Sequence, residues 1–132
     1  MKKLLLALLF VLSAFGSEVT WNGGYDQALA KAKKENKPLM VLITSEQCRW
    51  CRKLEATTLQ DDEIVSRINT SFEAVNVTKD KSIYPKSLIA KMVPMSYFID
   101  PRNGKILYSI PGYWGVEDYH SVLDDALKKY KK

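Results

Sequence analysis

The chain has 132 residues, 46% of them hydrophobic, and a formal net charge of +5. This length suits one domain with a single core. The lysines cluster at 31–37 and at 128–132, as is usual for solvated helix faces, and we do not expect nucleic-acid binding.

The start of the chain has the pattern of a secretory signal peptide. A short basic segment precedes the apolar run Leu4–Leu12, which is shorter than the about 20 residues that a membrane-spanning helix needs. Ala14 and Gly16 supply the small residues expected before a cleavage site. We therefore expect residues 1–16 to be a cleaved signal peptide and 17–132 to be one domain, located in the periplasm if the source is bacterial.

The apolar pattern predicts alternating helices and strands along the rest of the chain. Helices are expected at Tyr25–Asn36, Arg52–Thr57, Asp61–Ile68, Lys86–Met92 and Gly115–Tyr130. Strands are expected at Pro38–Thr44, Phe72–Val77, Met95–Ile99 and Lys105–Ile110. The first strand is apolar throughout, as in a central strand covered on both faces. The last two strands are joined by a turn with an Asn-Gly hairpin signal, so this order predicts a mixed α/β sheet.

Cys48 and Cys51 are the two cysteines of the chain and enclose Arg49 and Trp50. They lie between the predicted central strand and the helix that follows it. A helix N-terminus stabilises a thiolate, because its free N–H groups and its dipole favour negative charge. A Cys-x-x-Cys pair at this junction can alternate between dithiol and disulfide, so redox chemistry is the leading hypothesis.

Other uses of the cysteine pair fit less well. A purely structural disulfide would gain little, because the loop that it closes is short. Covalent haem attachment needs a histidine after the second cysteine, where the chain has Arg52. The cysteines and a lone His120 are too few ligands for zinc. Copper(I) stays open, because soft thiolates select it and Met92 and Met95 could add thioether ligands.

Several motifs resemble the thioredoxin-like superfamily. Cys48-Arg49-Trp50-Cys51 matches its redox motif, Val93-Pro94-Met95 its cis-proline loop, and Gly112 a glycine near its active site. The chain looks most like exported bacterial members with Ala-Lys-x-x-Asn-Lys-Pro before the strand, here 32–38, and Ser-x-x-Cys-x-Trp-Cys at the site, here 45–51. The resemblance implies a thioredoxin fold with a central mixed sheet of about four to five strands and helices on both faces.

The resemblance also implies the roles of individual residues. Cys48 is expected to attack a substrate disulfide and Cys51 to resolve the mixed disulfide. The residues expected to contact the substrate are Arg49, Trp50, Val93, Pro94 and Met95. Pro94 is expected to follow a cis peptide bond. No metal or cofactor is expected besides the redox-active Cys48–Cys51 disulfide.

Two positions depart from thioredoxin itself. Its buried acid, six residues before the first cysteine, is Leu42 here, and the lysine that partners the acid is Ala74. These departures predict a narrower partner or a different redox poise. The predicted function is a monomeric periplasmic thiol:disulfide oxidoreductase. It is expected to reduce protein disulfides, with those of cytochrome c maturation as one candidate, and to receive electrons from a membrane thiol-transfer protein. An oxidase or isomerase, or a non-catalytic Cu(I)- or thiol-binding module, is the alternative.

Overall fold

Five strands and four α-helices make up the part of the chain that the computed structural model describes, residues 18–131. The predicted signal peptide at 1–16 lies outside these residues. The elements in chain order are β1 (Trp21–Asn22), α1 (Tyr25–Glu35), β2 (Leu39–Thr44), α2 (Arg49–Ala56), a 3-10 turn (Thr58–Gln60), α3 (Asp62–Ser71), β3 (Glu73–Thr78), β4 (Met95–Ile99), β5 (Ile106–Pro111) and α4 (Val116–Lys131).

The strands form one mixed sheet in the order β1-β3-β2-β4-β5. β3 runs parallel to both β1 and β2, whereas β4 is antiparallel to β2 and to β5. All six residues of β2 are buried, because this strand lies in the middle of the sheet and is covered on both faces. The mixed sheet and the central position of β2 confirm the sequence prediction.

Alternate side chains of β2 enter two separate cores. Met40 and Leu42 pack on one face with apolar residues of α2, α3 and α4. Leu39, Val41 and Ile43 pack on the other face with α1 and with residues of the segment between β3 and β4. Helices therefore cover both faces of the sheet, as predicted.

The hairpin between β4 and β5 is built around Asp100 and Gly104. The Gly104 N–H donates to the Asp100 carbonyl at 2.8 Å, and Gly104 has a φ of +72°. The buried Asp100 carboxylate accepts hydrogen bonds from the backbone N–H of Arg102 at 2.9 Å and from its guanidinium at 2.8 Å. Glycine at the left-handed position and aspartate at the start of the turn explain why the predicted hairpin forms here.

The predicted helix at Lys86–Met92 is wrong. This segment is irregular, with a single turn in which the Leu88 N–H donates to the Pro85 carbonyl at 3.0 Å. Leu88 and Ala90 are buried, whereas Ile89 between them is 61% exposed, which is the alternation of extended chain. A helix of this length is marginal by itself, and the buried side chains reach the core without it.

One strand was not predicted, and the helix after the cysteines begins earlier than predicted. The two-residue strand β1 was not predicted, since a strand this short carries no readable period; Trp21 pairs with Ala74 of β3. The helix predicted to begin at Arg52 begins at Arg49 instead. Cys48 is its N-cap, because its sulfur accepts the backbone N–H of Cys51 at 3.1 Å.

Candidate active site

The cysteine pair lies where β2 ends and α2 begins. Cys48 and Cys51 form a disulfide, and their Cα atoms are 5.2 Å apart. Cys51 lies in the first turn of α2 and is fully buried, whereas Cys48 is partly exposed. The N–H of Cys51 already donates to the Cys48 sulfur. When the disulfide is reduced, the accessible sulfur is therefore the one that the helix N-terminus stabilises as a thiolate.

An apolar pocket of about 310 Å³ lies beside the cysteine pair. Its lining residues come from three separate segments and are Trp50, Met92, Val93, Pro94, Gly112 and Tyr113. The Val93–Pro94 peptide bond is cis, the geometry expected from the sequence. The Gly112 N–H donates to the Pro94 carbonyl at 2.8 Å, so the end of β5 is held directly against the proline loop.

Four of the five predicted substrate contacts lie at or next to this pocket. Trp50, Val93 and Pro94 line it, and the Arg49 guanidinium lies 5.5 Å from the centre of the Trp50 ring. Met95 does not line the pocket. It pairs with Ile43 in the sheet and packs against the core on the α1 face. Met95 therefore does not join Met92 at the pocket.

Two residues of the site were missed by the sequence analysis. The Tyr113 ring lies 5.8 Å from that of Trp50 between centroids. The Lys53 ammonium lies 5.0 Å from the Trp50 ring centre and 4.8 Å from that of Tyr113. The Tyr113 hydroxyl also lies 3.3 Å from the Thr57 hydroxyl, which ties it to the end of α2. The spacing of Lys53 from Trp50, three residues along a helix, was a usable signal, whereas Tyr113 comes from a distant segment.

The position of the thioredoxin acid is apolar in this fold. Leu42 is fully buried, and its partner in register on β3 is Asn76 rather than Ala74. The Asn76 amide donates at 3.1 Å to the carboxylate of Glu55, which also pairs with Arg52 at 3.1 Å. A carboxylate therefore lies on α2, one turn after the second cysteine, instead of on the central strand.

Glu46 and His120 lie outside the pocket. Glu46 is exposed and forms an ion pair with Lys81. His120 bridges α4 to α3, with its Nδ1 3.0 Å from the Arg67 guanidinium. Across residues 18–131 no three His, Cys, Asp or Glu side chains converge as a metal site. No helix in that range is long and apolar enough to cross a bilayer.

Comparison with known proteins agrees with this geometry. A family model described as a thioredoxin-like domain matches residues 25–127. The chain therefore belongs to the thioredoxin-like family. It is 34% identical over 90 residues to anterior gradient protein 3 of Xenopus tropicalis, an alignment that covers 66% of this chain and 53% of that protein. The chain thus spans about half the length of the curated relatives that it matches.

Solved structures show the same fold. DsbH oxidoreductase superposes with a TM-score of 0.68 at 25% identity, covering 84% of this chain and 85% of that one. A thioredoxin from Thermus thermophilus gives a TM-score of 0.75 at 21% identity, with 86% and 90% covered. The predicted thioredoxin fold is confirmed. The fold and the Cys-x-x-Cys disulfide are together those of the general class of thiol–disulfide oxidoreductases.

Proposed function

We propose that the protein is an exported thiol–disulfide oxidoreductase that reduces disulfides of periplasmic proteins. The observation that carries this proposal is the disulfide at the start of α2, with a partly exposed Cys48 and a buried Cys51 beside an apolar pocket. An accessible sulfur can react with another protein, while a buried one a few ångströms away is reserved for the resolving step. The similarity to DsbH oxidoreductase supports the same class.

The reaction follows from the two positions. In the dithiol form the Cys48 thiolate attacks one sulfur of a substrate disulfide, and the other substrate sulfur leaves as a thiolate that takes up a proton. The Cys51 thiol then loses its proton and attacks the Cys48 sulfur. This forms the Cys48–Cys51 disulfide and releases the second substrate thiol. Two electrons pass to the substrate, and a dithiol donor must return them.

The proposal also covers location and partners. The signal-peptide pattern at 1–16 favours export. In an oxidising compartment a reductase needs a supply of electrons, so a membrane thiol-transfer protein is the proposed donor. Protein disulfides are the proposed acceptors, and the protein is proposed to act as a monomer. A secretion assay on the full chain, with mass analysis of the exported product, tests cleavage after residue 16.

Trapping experiments test the reaction itself. With Cys51→Ser, the mixed disulfide between Cys48 and a substrate cannot be resolved, so a covalent complex should accumulate on exposure to a disulfide-bonded protein. Cys48→Ser should form no complex and should lose disulfide reduction. Non-reducing gels and mass spectrometry read both outcomes. Full activity in Cys48→Ser would refute the mechanism.

The direction of electron flow is tested by the reduction potential of the Cys48–Cys51 pair. Equilibration in glutathione or dithiothreitol buffers, read by alkylation mass shift, gives the value. A potential of about −270 mV, as in thioredoxin, is expected for a reductase, whereas a potential of about −120 mV indicates an oxidant.

A further inference from the structure

Two positive side chains lie beside the apolar pocket and form no ion pair with a carboxylate in the described part of the chain. The Arg49 guanidinium lies 5.5 Å from the Trp50 ring centre, and the Lys53 ammonium lies within 5.0 Å of the ring centres of both Trp50 and Tyr113. Neither cation takes part in the ion pairs formed within residues 18–131. The two charges therefore stay uncompensated next to the cysteines.

Other positive side chains near the site form ion pairs with carboxylates. Arg52, on the same helix, pairs with Glu55 at 3.1 Å, and Lys81 pairs with Glu46. The first turn of α2 contains no acidic residue, whereas the first turns of α1, α3 and α4 each contain at least one. A positive residue near a helix N-terminus opposes the helix dipole, so Arg49 does not stabilise α2. The positive charge is thus concentrated on one side of the pocket.

The pocket beside these cations is open to an apolar partner group. Trp50 is 47% exposed and Met92 is 51% exposed, two of the few large apolar side chains left uncovered within the described chain. Both line the pocket together with Pro94. Covering such side chains with an apolar group removes them from water and favours binding.

We infer that the protein segments reduced at this site are acidic and apolar: an extended segment with an apolar residue next to its disulfide cysteine and a carboxylate that faces Arg49 and Lys53. The pocket takes the apolar side chain, and the two cations attract the carboxylate. The inference rests on the proposed function and adds the substrate class. Lys53 is then a residue that sets specificity, and Trp50 and Tyr113 hold it beside the cysteines.

Matched peptides test the inference. Two synthetic peptides with one internal disulfide and a leucine next to the reactive cysteine differ at one further position, which is Glu in one and Lys in the other. Second-order rate constants for reduction by the dithiol protein are measured at low salt by alkylation and mass spectrometry. The Glu peptide should react several-fold faster, with about threefold from each exposed cation, and the preference should shrink as salt is added.

Charge-reversal variants test which cation causes the preference. Lys53→Glu should abolish or invert the ratio of the two rates, and Arg49→Glu should change it in the same direction. Lys33→Glu is the matched control, because Lys33 is exposed on α1, which packs on the opposite face of the sheet; it should leave the ratio unchanged. The ratio is used because lost positive charge also changes the reactivity of Cys48, which affects both peptides equally.

A small uncharged disulfide, hydroxyethyl disulfide, separates the inference from the proposed function. If the wild-type protein reduces it and reduces both peptides at equal rates, the substrate class is wrong while the oxidoreductase function stands. If Lys53→Glu and Lys33→Glu change the peptide ratio by the same factor, the assignment to Lys53 is wrong. If the protein reduces none of the three disulfides, the proposed function and the inference both fail.

Discussion

Replacing Gly112 by alanine tests whether the end of β5 controls the pocket. Gly112 has a φ of +82°, a conformation that alanine adopts only at a penalty of about 1–2 kcal/mol. A Cβ added at Gly112 would lie 3.6 Å from the terminal methyl carbon of Met92, an ordinary van der Waals contact, so no steric term is added. Gly112→Ala should therefore lower the free energy of unfolding by about 1–2 kcal/mol. For a domain of this size that is a fall of about 4–8 °C in Tm.

The same change should reach the site through one hydrogen bond. The Gly112 N–H donates to the carbonyl of Pro94, and any rotation that relieves the positive φ moves that N–H. The Pro94 loop should then shift, and reduction of a peptide disulfide that fills the pocket should slow. Reduction of hydroxyethyl disulfide, which is too small to depend on the pocket, should change little.

Gly104→Ala is the matched control. Gly104 has a φ of +72°, and a Cβ there meets nothing within 4 Å. It lies in the β4–β5 turn, at the other end of the hairpin from Gly112. Both variants should lose similar stability in urea unfolding followed by circular dichroism, but only Gly112→Ala should change peptide reduction. Equal kinetic effects from the two variants, or unchanged stability in Gly112→Ala, would refute this reasoning.

Two further predictions concern stability away from the site. Burial, followed by the hydrogen bond with Glu35, raises the pKa of Glu73 above its usual 4.5. A carboxyl group whose pKa is higher in the folded protein than in the unfolded chain stabilises the fold at low pH. That contribution is lost as the pH rises from the unfolded-state pKa through the folded-state pKa. In urea unfolding, the change in stability from pH 4 to pH 7 should therefore be more favourable in Glu73→Gln than in the wild type; an equal change in both would contradict the assignment. In the irregular segment after β3, Leu88→Ala should cost about 2–4 kcal/mol and Ile89→Ala less than about 0.5 kcal/mol, because only Leu88 is buried. Equal losses in the same assay would contradict the alternating burial of this segment.

The elements that could be read from the sequence are those whose signal is local. β2 is a continuous apolar run, and the β4–β5 hairpin carries its turn residues between two apolar segments. α4 has its apolar residues on one face, and the predicted and observed boundaries differ by one residue at each end. In these cases the residues that define the element lie next to each other in the chain. The hydrophobic period and the turn residues were therefore sufficient to predict the element.

The features that were missed depend on distant contacts. The segment 86–92 has helix-forming residues, but Leu88 and Ala90 are drawn into the core on the α1 face, and the Tyr97 hydroxyl donates to the carbonyl of Ile89. Tertiary packing therefore overrides the local preference. Tyr113 lies beside Trp50 although 62 residues lie between them in the sequence, and no local pattern indicates that contact.

The convergence of the site follows from strand register. Because β4 is antiparallel to β2, Ile43 near the end of β2 pairs with Met95 at the start of β4; Met95 in turn pairs with Pro111 at the end of β5. The residues just beyond these positions are the cysteine loop, Pro94 and Gly112. A shift of one residue in either pairing would move one of these segments along the edge and exchange the faces of its side chains. The Cys-x-x-Cys motif thus supplies the redox pair, but the β2–β4–β5 register places an apolar pocket beside it.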